Sequence, residues 1–221
     1  MKHRNLTTDE IKILENNGCT ADDWNAILVK DGFIPENIRR VHFSGMNRLG
    51  VFEEKVEIEN GVEKQSGLFN SFIRECTIED DAYIADVRTL SGYYIENNAI
   101  IENVGSLVVA GETSFGNGTG INVLNEAGGR ELMIYDKLSA QIAYMMVTSR
   151  DDGEFIKALQ SSIEKYAEER KSTTGKIGAG AIIRHCDTIK NVWIETGARV
   201  TGVRCLEEGT IASKADDPSI V

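Results

Sequence analysis

The chain has little proline, no closely paired cysteines, a deficit of positive charge and no long hydrophobic run. Only 2 prolines stand against 21 glycines in 221 residues, which excludes proline-stiffened linkers and points to regular structure with many tight turns. Cys19, Cys76, Cys186 and Cys205 form no CxxC pair, so no zinc or disulfide framework is indicated, and the thiols read as reduced and cytoplasmic. Three scattered histidines without an HxxxH pattern leave no metal site legible. Lys and Arg number 24 and Asp and Glu 35, for a formal net charge of -11. That balance speaks against nucleic acid as a partner, because phosphate binding needs clustered cations. No apolar stretch approaches the roughly 18 residues of a membrane span. The opening Met-Lys-His-Arg-Asn-Leu-Thr-Thr lacks the apolar core of a signal peptide. A hydrophobic fraction of 41% with 27% charged residues suits a globular chain with a sizeable core.

What is present is an internal repeat. Five segments share a pattern, beginning at Ile78, Ile95, Ile177, Ile194 and Leu206: an aliphatic residue opens each and a small residue stands fifth. The fourth position holds Asp81, Asn98, Gly180, Gly197 or Gly209, the residue types that tolerate positive φ. Ile78 to Ile95 is 17 residues, as is Ile177 to Ile194. Between them, aliphatic residues fall at Ile84, Leu90, Ile101 and Leu107, and again at Ile183, Ile189, Val200 and Leu206. Asp86, Asn103, His185 and Gly202 mark second corners, and Gly92 and Asn191 third ones. No helix repeats in this way. Short strands stacked along an axis, with their aliphatic residues inward, do. The expected fold is mainly β, a left-handed parallel β-helix with N-terminal helices and a two-helix insertion.

The pattern resembles hexapeptide-repeat proteins. More closely, the chain is similar to the N-terminal part of an uncharacterised, longer hexapeptide-repeat family related to UDP-N-acetylglucosamine pyrophosphorylase. The stretches that carry the resemblance are Val41-His-Phe-Ser-Gly45, Phe115-Gly-Asn-Gly-Thr119, Val123-Leu-Asn-Glu-Ala-Gly-Gly-Arg-Glu131 and Tyr135-Asp-Lys-Leu-Ser-Ala-Gln141. The resemblance implies a homotrimer and a transferase-like activity on an activated sugar or acyl donor, with acyl-CoA or a nucleotide sugar as the small-molecule co-substrate.

Outside the repeat, residues 1–37 read as a helical segment. Thr7 and Glu10 form a capping box before a first helix ended by Gly18. A second helix is expected from Thr20 or Asp22 to about Gly32, with Trp24, Ile27 and Leu28 on one face. The β domain then spans 38–221. Within it, 55–65 reads as a hairpin around Asn60-Gly61, and an insertion runs from about 110 to 174. Two helices are expected in the insertion: Asp136 to Val147, burying Leu138, Ile142 and Met145, and Asp151 to Arg170, burying Phe155, Leu159, Ile163 and Tyr166. The uncapped last repeat suggests a piece of a longer protein continuing past Val221.

Candidate chemistry is sparse. Hexapeptide acyltransferases place a histidine base between subunits. His42, in one of the resemblance-carrying strings beside Arg39, Arg40 and Arg48, is the preferred base, although a packing role is the plainer one. His185 falls on a repeat corner and reads as structural; Cys186 aligns with Val87, Val104 and Val203 as a buried apolar thiol. The Gly-rich stretch can expose backbone N–H groups as an anion nest. Asn117, Asn125, Arg130 and Glu131 are the candidate substrate-binding residues there, Arg130 for phosphate or carboxylate, with Glu126 as a second candidate catalytic carboxylate. The competing reading is a wide turn that lets the chain leave the stack. At the level of function, a non-catalytic scaffold or assembly module stands beside the transferase.

Overall fold

The computed structural model describes residues 3–59, 61–122, 131–149 and 151–221. The protein is mainly β. The chain opens with β1 (His3–Asn5) and α1 (Thr8–Asn16), followed by β2 (Thr20–Ala21), β3 (Ile27–Lys30), β4 (Ile38–Ser44) and β5 (Asn47–Leu49). After the hairpin strands β6 (Lys55–Glu59) and β7 (Val62–Gln65) come β8 (Gly67–Arg74), β9 (Thr77–Ile78), β10 (Tyr83–Ser91), β11 (Tyr93–Ile95) and β12 (Ile100–Val108). The insertion holds β13 (Thr119–Ile121), β14 (Leu132–Ile134), α2 (Ala140–Thr148) and α3 (Gly153–Arg170). The chain then returns through β15 (Gly175–Ile177), β16 (Ile182–Ile194), β17 (Arg199–Thr201) and β18 (Cys205–Ile211). No described helix is long and apolar enough to cross a membrane.

The α1 N-terminus forms as its sequence requires. The Thr7 hydroxyl accepts the Glu10 N–H at 3.3 Å, and the Glu10 carboxylate accepts the Thr7 N–H at 2.7 Å. Arg4 grips the same carboxylate with two nitrogens, at 2.9 and 2.7 Å. This contact, ahead of the Thr7 bonds, pulls the Glu10 pKa down to about 2.

The second expected helix does not form. Residues 20–30 make β2, a 3-10 turn at Trp24–Ala26 capped by Asp23, and β3. Ile27 and Val29 are buried and Leu28 is not, an alternation of period two. Backbone pairing of β3 with β5 outweighs the weak helical pattern. Strands of the sheet therefore lie within the stretch read as helical: β1 pairs with β3, and the parallel stacking opens with β2 at Thr20.

One 14-stranded sheet holds the stack together, mixed because β1 runs antiparallel to β3 while its other pairs are parallel. Three inward columns result. The first stacks Ile38, Leu68, Ile84, Ile101, Ile183 and Val200. The second stacks Phe43, Ile73, Leu90, Leu107, Ile189 and Leu206. The third stacks Val29, Leu49, Ile78, Ile95, Ile177, Ile194 and Ile211. All but Leu206 and Ile211 belong to the buried core, and those two pack against it. Tyr93 enters the same core, where its hydroxyl donates to the Val192 carbonyl at 3.0 Å and burial pushes its pKa up.

The corners adopt the conformation their residue types imply. Asp81, Asn98, Gly180 and Gly197 have φ of 55, 59, 63 and 73°, and Asp86, Asn103, His185 and Gly202 lie between 53 and 71°. Gly92 and Asn191 follow at 75 and 55°. The segment from Leu206 departs from expectation. Leu206 stacks on Ile189 and Ile211 on Ile194, so the segment continues its layer rather than opening a new one. The left-handed residue there is Glu208 (φ 49°), stacked on the Asn191 corner, and not Gly209.

Two excursions leave the stack. The hairpin pairs β6 with β7 antiparallel and lays Val56 and Ile58 against Tyr83, Ala85 and Ile100 on the outer face. Lys64 and Arg184 meet the Glu102 carboxylate from two sides at 2.7 and 2.8 Å, and Arg184 also reaches Glu59 at 2.7 Å. Asn60 lies outside the described residues. The insertion departs after β12 and returns at β15, its neck closed by reciprocal Thr113–Ser172 backbone bonds of 3.0 Å. It builds a small core from Leu132, Met146 and Ile163, with Leu138, Ile142 and Leu159 at its edge. Both helices start later than expected, at caps Ser139 and Asp152. Met146 is therefore buried in place of Met145, and Ile156 with Ala167 in place of Phe155 with Tyr166.

Two predictions follow from the corners and the capping box. Asn97 and Asn98 are both exposed neighbours, but only Asn98 is left-handed. Asn98→Val is expected to cost about 1–2 kcal/mol in urea unfolding, and Asn97→Val much less; equal costs would refute the corner assignment. Because the folded pKa of Glu10 lies below its ordinary 4.5, its contribution is fully present above that value and is lost as pH falls toward about 2. Glu10→Gln should destabilise by about 1 kcal/mol at neutral pH. The difference from the parent protein should vanish in melts carried out in strong acid.

Candidate functional site

The Gly-rich stretch packs where the insertion meets the last layer. Phe115, Gly116 and Gly118 all have positive φ, at 54, 80 and 84°. The glycines answer to contact: a Cβ on Gly116 would stand 2.6 Å from the Glu208 carbonyl oxygen, and one on Gly118 would stand 2.9 Å from the Ala167 methyl. Phe115 is buried, its ring edge-on to Trp193 with centroids 5.3 Å apart, and its carbonyl accepts the Thr210 hydroxyl at 2.9 Å. Asn117, a candidate ligand-binding residue, is 4% exposed. Its amide donates to the Ser114 carbonyl at 2.7 Å, and its side-chain oxygen accepts the Asp136 N–H at 2.8 Å. Asn117 therefore ties the stretch to the insertion.

A cavity of about 220 Å³ lies beside it, with Asn117, Tyr135, Asp136, Glu208 and Thr210 in its wall. Its carboxylates are already engaged. Asp136 accepts from the Tyr166 hydroxyl at 2.7 Å and from Arg170 at 3.0 Å. Burial first, and the Asp136 bond next, push the Tyr166 pKa up to about 12. Glu208 accepts from Thr113 at 2.7 Å and from Asn191 at 2.5 Å. Arg170 also lies over the Trp193 ring at 4.9 Å.

The other described candidates, His42 and Glu131, do not line this cavity. His42 is in β4, where Nδ1 lies 2.8 Å from the Thr20 hydroxyl and Nε2 lies 3.4 Å from Asp22, with the ring stacked on Phe72 at 5.3 Å. Five strand spacings separate β4 from β18 along the sheet, or about 24 Å. One chain cannot bring His42 to Asn117. Asn125, Glu126 and Arg130 lie outside the described residues, and Glu131 is exposed just before β14. Among the described residues, no cluster of His, Cys, Asp and Glu has the makings of a metal site.

His185 occupies its corner, with Nδ1 2.9 Å from the Asn103 amide. Cys186 is 2% exposed in the column of Val104, and burial pushes its thiol pKa up. The same face carries polar residues that the sequence pattern does not mark as catalytic. Thr89, Ser106 and Thr188 stack in register, and between them and the corner row fall Arg88, Gly105 and Asp187. Two open clefts of about 190 and 360 Å³ adjoin this strip. A signal was available, since Thr89 and Ser106 are one repeat apart.

Comparison with known proteins corrects the resemblance to pyrophosphorylase-related hexapeptide transferases. Residues 3–221 match a family described as a domain of unknown function, DUF4954, and not a hexapeptide-repeat or transferase family. A protein of Treponema pallidum (strain Nichols), described as an uncharacterized protein, is 26% identical over 227 residues. The match covers 98% of this chain and 31% of that relative, so the chain spans about a third of the relative's length. The mixed sheet with its antiparallel β1, and the two separate antiparallel hairpins β6–β7 and β13–β14, likewise go beyond a plain hexapeptide stack. With nearly all of its length matched, the chain belongs to the DUF4954 family.

Proposed function

We propose that the chain is a non-catalytic binding and assembly scaffold whose stacked strands wind as a left-handed β-helix. The three aliphatic columns and the positive-φ corners in each layer support that winding. The observation that carries the functional reading is the commitment of polar groups at the Gly-rich cavity. Asn117 and Asp136 spend their side-chain atoms on bonds within the insertion and Glu208 on Thr113 and Asn191, which leaves no base or nucleophile poised there among the described residues. A transferase would need His42 of one protomer to complete the Gly-rich site of another, as in a trimer, because a single chain holds them layers apart.

The two readings separate in one assay. Purified protein incubated with acetyl-CoA, UDP-N-acetylglucosamine or GDP-mannose and a panel of amine and sugar acceptors is expected to release neither CoA thiol nor nucleotide above background. Release that disappears in His42→Ala, with the melting temperature unchanged, would overturn the scaffold reading in favour of the transferase.

A further inference from the structure

The strip centred on Gly105 carries a continuous set of polar groups that make no hydrogen bond with a described residue. The Thr89, Ser106 and Thr188 hydroxyls are half-buried, stacked in register, and hydrogen-bonded to no described residue. Arg88 is exposed and makes no ion pair or hydrogen bond with a described residue, and the Asp187 carboxylate makes no hydrogen bond with one. On neighbouring parts of the sheet Lys176 is held by Glu96 and Arg184 by Glu102, whereas Arg88, like Lys190 and Arg199, has no carboxylate within ion-pair distance among the described residues. Gly105 contributes no side chain between Arg88 and Asp187. It must be glycine for the strands to close, since a Cβ there would stand 2.5 Å from the Asp187 carbonyl oxygen. Arg88 and Asp187 consequently flank a bare floor two strand spacings wide, about 10 Å.

We propose that this strip binds a saccharide. A guanidinium only donates and a carboxylate only accepts, so a ring seated between them can accept from Arg88 with one hydroxyl and donate to Asp187 with another. The threonine and serine hydroxyls do both, and repeat at about 4.8 Å along the stack, a spacing suited to successive units of an extended glycan. The Asn103–His185 bond leaves Asn103 Oδ1 and His185 Nε2 for further sugar hydroxyls at the rim of the first cleft. Charge disfavours the alternatives. Arg88 is balanced by Asp187 and Asp86, so the strip offers no net positive field for a phosphate. Its lining is too polar for an apolar ligand.

The proposal rests on the scaffold reading and supplies its ligand class. The test is isothermal titration of the full chain with cellohexaose, chitohexaose and maltohexaose, and with inorganic phosphate as the anionic probe. At least one hexasaccharide is expected to bind. Arg88→Ala and Thr188→Val should each weaken it by roughly tenfold or more, while Lys12→Ala on α1 leaves it unchanged and circular dichroism shows all three variants folded. Absence of saccharide binding at millimolar concentration, binding that survives both strip substitutions, or binding of phosphate alone would overturn the proposal. Failure here without nucleotide or CoA release removes the saccharide and leaves the scaffold. Release accompanied by strip-dependent saccharide binding removes the scaffold and leaves the site.

Discussion

Everything in this chain depends on keeping three aliphatic columns in register from one layer to the next. Each fully buried aliphatic side chain is worth about 1.5–3 kcal/mol, but only if its strand arrives at the right height and facing inward. A slip of one residue would turn each inward side chain of that strand outward. The backbone ladder enforces the height. The corners enforce the direction, by reversing the chain in so few residues that left-handed backbone is needed at each. This explains why Asp81, Asn98, Asp86, Asn103, His185 and Asn191 occupy positions where most side chains would be strained. It also explains the scarcity of proline, whose missing N–H would break the ladder.

The same constraint decides where the chain can leave the stack. The hairpin and the insertion both leave between layers, and the layers close across them as if the excursion were absent. Ile101 stacks directly on Ile183 although the whole insertion lies between them in sequence. An excursion of this kind costs little in closure entropy, which grows only slowly with loop length. It must still be tied down. The hairpin is tied by its apolar contact with Tyr83 and Ile100 and by the Glu102 ion pairs. The insertion is tied to the last layer by the Thr113–Glu208 and Thr210–Phe115 hydrogen bonds and braced inside by Asn117 and Asp136, so Asn117, which reads as a ligand-binding residue in the sequence, serves the fold.

The columns were legible because they are periodic. The 17-residue spacing, the corner residues, the hairpin and the Thr7 capping box could all be read from residue types at fixed offsets, and the structure places them there. What was not legible depended on long-range pairing. Nothing local to Ile27-Leu-Val-Lys30 distinguishes an amphipathic helix from a strand; its partner at 47–49 decides. Likewise, Leu206-Glu-Glu-Gly209 matches the opening motif of the repeat, and only its stacking on Ile189 shows that it belongs one face earlier. The glycines at 116 and 118 read as an anion nest because their real neighbours, Glu208 and Ala167, are distant in sequence. The resemblance to transferases failed for a related reason: a stacking pattern fixes a fold and carries no chemistry.

A stack repeats by translation, and that bears on what its surface can do. Catalysis needs unlike groups converging on one point, whereas stacking sets similar positions side by side along a line. Where groups do converge here, at the Gly-rich cavity, the hydrogen bonds run within the protein. Where they line up, along Thr89, Ser106 and Thr188, they make no hydrogen bond with a described residue. The corner row shows how selective this is. Asn70 donates to Asp86 at 2.6 Å and Asn103 meets His185 at 2.9 Å, so polar groups stacked in the left-handed turns pair with each other, while those a few residues on do not. A ladder of unspent hydroxyls beside a ladder of spent amides is what a surface built for a repeating, hydroxyl-rich ligand requires. The rigid columns beneath hold it in place before any ligand arrives, so little ordering entropy remains to be lost on binding.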